Sequence, residues 1–154
     1  MTQRKAVTSL EITCLVHATE DREKVMRAVH VLLPAQHVDD IRFSCDELQG
    51  YYKNPITLLK TRITDRQVIA GIVAKLAGEL NSSDRGILTT DFDRYVDRRT
   101  LYLRFDKQDA YRGKLRLAHA DPIRVKIRLS FPPTTFTAVV YAAASGEGSL
   151  GPHD

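Results

Sequence analysis

The residues best equipped to do chemistry in this chain are cations. Between positions 98 and 128 stand Arg98, Arg99, Arg104, Lys107, Arg112, Lys114, Arg116, Arg124, Lys126 and Arg128, opposed by Asp106, Asp109 and Asp121. Ten basic against three acidic residues give +7 in a chain of formal net charge +4, so the rest of the sequence sums to −3. A concentration of this kind attracts a polyanion, whose phosphates relieve the repulsion between neighbouring cations and release their own counterions. Tyr102 and Tyr111 interleave with the cations, while Tyr51, Tyr52 and Lys53 form a second aromatic and basic group. Phenol rings in such settings stack on unpaired bases. Lys and Arg also serve a plainer purpose, keeping an exposed sheet face hydrated and blunting its edge. The spacing does not separate RNA from DNA.

Other chemistry finds little support. Cys14 and His17 have an inviting ligand spacing, but three residues apart on a strand they point to opposite faces and cannot share a metal. His30 and His37 read as surface residues near a helix end. Asp91 and Asp93 do not face each other on a helix. Asp106 and Asp109 beside Lys107 are the better metal-nuclease pair, although salt bridges within a basic patch explain them more simply. Gly148-Ser-Leu-Gly151 has the letters of a two-glycine RNA-binding loop without the flanking helices. No phosphate-binding glycine loop, nucleophile elbow or zinc-hydrolase motif is present. The expectation is a protein that is not an enzyme, with no cofactor and no metal.

The elements that must position the cations follow from periodicity. Leu10, Ile12, Cys14 and Val16 alternate with Ser9, Glu11 and Thr13, the mark of a half-buried strand. Thr19-Glu20-Asp21 caps a helix that continues to about Leu33, stopped by Pro34. Ile41, Phe43 and Cys45 mark a second strand. Tyr51 to Pro55 reads as a loop, and Ile56 to Ile63 as a third strand whose pattern shift implies either a bulge or burial on both faces. Thr64 and Gln67 stand at capping-box spacing for a helix to about Leu80. A shorter helix is expected around Leu88–Val96.

Three strands are then expected, around Leu101–Phe105, Leu115–Leu117 and Ile123–Phe131, with Pro132-Pro133 ending the last. Their polar side would present Tyr102, Arg104, Lys114, Arg116, Arg124, Lys126 and Arg128 together. Residues 134–141 fit an edge strand or a terminal helix, and the Ala/Gly/Ser-rich end is expected to be disordered. The fold class is α+β, with a largely antiparallel sheet and helices packed on one face, in the order β-α-β-β-α-(α)-β-β-β. Residues 1–133 are expected to form a single domain, with 134–154 an edge element and tail.

With 154 residues, 43% hydrophobic and 27% charged, the chain suits one ordinary domain and needs no disulfide or metal to hold a core. No window nears eighteen consecutive apolar residues, and the two cysteines fit a reducing compartment. The expected localisation is cytoplasmic, with no membrane partner.

Three segments carry a family resemblance: 16–21 (Val-His-Ala-Thr-Glu-Asp), 50–56 (Gly-Tyr-Tyr-Lys-Asn-Pro-Ile) and 101–111 (Leu-Tyr-Leu-Arg-Phe-Asp-Lys-Gln-Asp-Ala-Tyr) followed by Gly113. Over roughly residues 8–132 the chain resembles an archaeal family described as predicted RNA-binding subunits of the exosome. The fold of that family is similar to that of the large-subunit ribosomal protein that binds the small ribosomal RNA. At Tyr52 and Lys53 the chain departs from the His and Gly of the family pattern. The resemblance implies RNA as partner, with exosome or ribosomal components nearby. It also turns Lys107, Gln108 and Arg112 from a simple turn into expected contacts at the rim of the basic face. The functional expectation is a non-catalytic RNA-binding protein, accessory to RNA processing, degradation or the ribosome. The alternative is a protein-interaction module that docks an acidic partner, or a second copy as a homodimer, through the same face.

Overall fold

The alternation of residues 10–16 builds the central strand of a six-stranded sheet. The structure, a computed structural model, describes residues 5–49 and 54–148, without the side chains of 145–148. Strand β1 (Val7–His17) pairs on one side with β3 (Pro55–Ile63) and on the other with β6 (Ile123–Leu129). Outside these lie β2 (Ser44–Gln49), β5 (Thr100–Phe105) and the two-residue β4 (Val96–Asp97). The order across the sheet is β2-β3-β1-β6-β5-β4, every pairing antiparallel.

Leu10, Ile12, Cys14 and Val16 are buried with Leu101, Leu103 and Phe105 of β5 and Ile123, Val125, Ile127 and Leu129 of β6. A register shift between Val7 and Ser9 inserts an extra residue opposite β6, so Val7 turns back to the core side and the alternation does not reach it. In β3 the register against β1 is continuous. Its pattern shift therefore reflects partial burial of Ile56 and Leu58 on the second face, the other alternative the sequence left open.

The helices cover one face. α1 (Arg22–His30), α2 (Arg66–Glu79) and α5 (Phe136–Gly148) pack against β1, and α2 lies along α5. α1 is capped by Asp21, whose carboxylate accepts from the Glu23 amide at 2.9 Å. α2 is capped by Asp65 rather than by Thr64, with the Gln67 and Val68 amides donating to Oδ1. The expected short helix at Leu88–Val96 is displaced. α3 spans Ser82–Thr90 behind an Asn81 cap, a 3-10 turn follows at Phe92–Arg94, and Val96 already belongs to β4.

Two further expectations need correction, and one open alternative is decided. Ile41 and Phe43 precede β2, which begins at Ser44 and is exposed along its whole length. The strand expected at Leu115–Leu117 is absent; it is reduced to a single bridge between Phe105 and Leu117. In its place α4 (Lys107–Tyr111) follows β5 directly. The Asp106 carboxylate accepts from the Asp109 amide at 2.8 Å, and Gly113 at φ 84° ends the turn, a backbone angle that favours glycine. Residues from Phe136 onward form helix, not an edge strand, with Val139, Ala142 and Ala143 buried. The expected disordered end falls partly within α5 and partly in 149–154, which lie outside the described residues.

Candidate nucleic-acid interface

Because strands alternate, burying one face against helices commits the other residues to a second, open face. Register orders that face into rows across the sheet. One row runs Ser44, Lys60, Thr13, Arg124, Arg104; the next runs Arg62, Glu11, Lys126, Tyr102; a third holds Ser9, Arg128 and Thr100. Neighbours in a row are about 4.8 Å apart, and successive rows about 7 Å. Lys60, Arg62, Arg104, Arg124 and Arg128 are exposed, and Lys126 is half-buried. Six cations thus share one uncovered surface.

The charges on this face are poorly compensated. Arg62 Nε lies 3.9 Å from Glu11 Oε2. Lys60, Arg104, Arg124 and Arg128 have no side-chain carboxylate partner among the described residues. Arg104 and Arg124 are directly opposed, an arrangement that destabilises a sheet unless an anion lies across it. Lys126 Nζ sits 5.9 Å from the centre of the Tyr102 ring, which leaves that ring 39% exposed. Tyr102, Arg104, Arg124, Lys126, Glu11 and Thr13 line a depression of about 290 Å³.

Among the sequence-derived candidates, Tyr102, Arg104, Arg124, Lys126 and Arg128 come together here. Lys60 and Arg62 were missed. Their signal was present, since they alternate with Leu59, Thr61 and Ile63, but it becomes basic-face chemistry only once β3 is known to pair with β1. Lys114 and Arg116 stand outside the rows, in the irregular 112–122 connection, where they share a groove with Glu79 and Asn81. Tyr51, Tyr52 and Lys53 lie outside the described residues.

Lys107 is not at the rim of this face. It is buried, and its ammonium donates to Asp121 Oδ2 at 3.0 Å, Glu20 Oε1 at 3.1 Å and the Leu15 carbonyl. Burial alone would depress its pKa, but the hydrogen bonds to Asp121 and Glu20 outweigh that and raise it. Asp121 shows the mirror effect: burial opposes ionisation, yet His17 and Lys107 together hold its pKa below the usual carboxylate value. Asp121 adopts φ 45°, a left-handed conformation that Asp tolerates, while its other oxygen meets His17 Nε2 at 3.0 Å. His17, Glu20 and Asp121 place ligand atoms within 4.8 Å of one another, but the Lys107 ammonium already lies against both carboxylates. Asp106 and Asp109 are joined by a helix-capping bond and not arranged as a metal pair. Cys14 points into the core, where burial pushes its thiol up to about 12.

Gln108, Tyr111 and Arg112 stand elsewhere again, on α4 and its C-terminal end, facing a groove shared with α1.

Comparison with known proteins places the chain in a family. A family described as RNA binding matches residues 9–129, a span that runs from the start of the row-bearing part of β1 to the end of β6. The chain belongs to that RNA-binding family. Among curated relatives, the RNA-binding protein PAB1135 of Pyrococcus abyssi is 36% identical over 137 residues, 87% of this chain and 89% of its own length. An uncharacterised protein of Methanocaldococcus jannaschii is 34% identical over 133 residues, covering 84% of this chain and 86% of its own. Among solved structures, a DUF54 protein from Archaeoglobus fulgidus superposes with a TM-score of 0.70 at 32% identity, over 91% of this chain and 99% of that one. These three relatives are archaeal.

Proposed function

We propose that this protein is a non-catalytic RNA-binding protein that engages the phosphate backbone through its open sheet face. It would act as an accessory subunit of RNA processing, degradation or ribosome-associated machinery. The observation that carries the reading is the set of registered rows bearing Lys60, Arg62, Arg104, Arg124, Lys126 and Arg128 on a face no helix covers. Cations in rows suit phosphates, which position a nucleic acid without reading its sequence. Tyr102, held beside Lys126, adds a ring on which an unpaired base can stack.

RNA binding measured across a salt series tests this. The log-log slope is expected to be strongly negative, and replacing Arg124, Lys126 and Arg128 by Gln should make it shallower by about 2–3. Arg66→Gln, on the exposed start of α2, should leave it unchanged. A slope near zero, or a triple variant indistinguishable from the parent, would refute the proposal. Sedimentation with and without ribonuclease separates it from docking on an acidic protein, because a complex that survives ribonuclease and contains no RNA favours the latter.

A further inference from the structure

α1 and α4 pack side by side on the helical layer, and between them lies a groove of about 350 Å³. This volume falls in the lower part of the range for small-ligand sites, roughly 300–1,000 Å³. Its floor is apolar, made by Val25 and Ala28, both buried. Its rim carries the Tyr111 ring, 41% exposed, with Lys24 Nζ 5.8 Å from the ring centre. Gln108 and Arg112 complete the wall, and neither their amide nor their guanidinium group has a partner among the described residues.

Of the two carboxylates at the groove, Glu20 is fully engaged and Asp21 only in part. Glu20 accepts from Lys107 and from the His17 amide at 2.9 Å. Asp21 Oδ1 caps α1. Glu20 is offset by Lys107, so Lys24 and Arg112 stand against the single carboxylate of Asp21 and leave the groove one net positive charge, beside an exposed aromatic ring and a free amide. An apolar floor, a stacking ring, one hydrogen-bonding amide and two cations make the set that holds a base and its phosphate.

We infer that the α1–α4 groove is a second RNA contact, which takes one unpaired nucleotide. Its base stacks on Tyr111 and meets Gln108 edge-on, while its phosphate faces Arg112 and Lys24. The site is separate from the open face, because the two lie on opposite sides of the sheet. This inference rests on the RNA-binding reading above and adds single-stranded selectivity to it.

The test uses the full chain with two RNAs of equal length, a hairpin carrying 2-aminopurine in its loop and a fully paired duplex. Binding should quench the loop fluorophore. Tyr111→Leu should abolish the quenching and weaken hairpin binding by about 10-fold, while duplex affinity and the salt slope stay as in the parent. Tyr111→Phe should behave as the parent, and circular dichroism checks that both variants are folded. Parental quenching and affinity in Tyr111→Leu would overturn the groove assignment alone, as would equal weakening toward both RNAs. Saturable quenching of free 2-aminopurine nucleoside monophosphate at micromolar concentration would overturn it in favour of a mononucleotide site. Failure of the parent to bind either RNA at low salt would bring down both readings.

Discussion

Lys107 shows how one side chain can be read correctly in type and wrongly in place. Its sequence neighbourhood suggested a phosphate contact, whereas its ammonium joins the end of β1, the loop before α1 and the approach to β6. Nothing in the spacing of Glu20, Lys107 and Asp121 announces that they meet, because their proximity is a product of strand order. Lys107→Met should lower stability by about 2–3 kcal/mol. That is less than for a fully buried pair, since Glu20 and Asp121 keep contact with water; chemical denaturation measures it. Cys14 sets an alkaline limit. Below 9.0, the ordinary thiol value, folded and unfolded chains both hold the proton; between 9.0 and about 12 only the fold retains it, so stability falls as pH rises through that window. The raised pKa of Lys107 acts in the same direction from 10.5, its ordinary value, upward, and the lowered pKa of Asp121 preserves its contribution until pH falls below the usual carboxylate range. Cys14→Ala should therefore flatten the decline in denaturation midpoint between about pH 9 and 10.5; identical slopes in the two proteins would contradict the assignment.

At the level of elements, period two was the dependable signal. It located β1, β5 and β6, and with them Tyr102, Arg104, Arg124, Lys126 and Arg128 on one face, while β3 was found despite a break in its alternation. It failed where an element was too short to have a period. α4 has five residues, so its existence depends on the Asp106 cap and the positive φ of Gly113 rather than on any apolar repeat. The misplaced strand at Leu115–Leu117 followed from that omission, and with it the misplacement of Lys114 and Arg116. Within α2, two glycines separate packing from propensity. A Cβ on Gly71 would lie 3.0 Å from Pro34 Cγ and 3.4 Å from the His37 ring, whereas one on Gly78 meets nothing within 4 Å. Gly78→Ala should stabilise the protein by about 0.5–1 kcal/mol. Gly71→Ala should forfeit that gain, and comparing their thermal midpoints decides it.

Across the whole molecule, the two proposed RNA contacts fall on the two sides of one sheet. The open side offers rows of cations at β spacing, and the helical side offers a groove with an aromatic rim. Lys107, which links strand, loop and helix at the C-terminal end of β1, belongs to the groove side alone. The division was hidden in the sequence because the positive segment from 98 to 128 supplies both sides, and only the fold sorts Arg104 and Arg124 from Arg112. The sheet order also has a temporal side. Among the described strands β1 is synthesised before the other five, and its neighbour β6 after them. Until residue 129 has emerged, one edge of the central strand can pair only with water. Pairings so distant along a chain are slow to form and expose the nascent protein to misassociation. The central strand therefore gains its second neighbour only after more than a hundred further residues have been made.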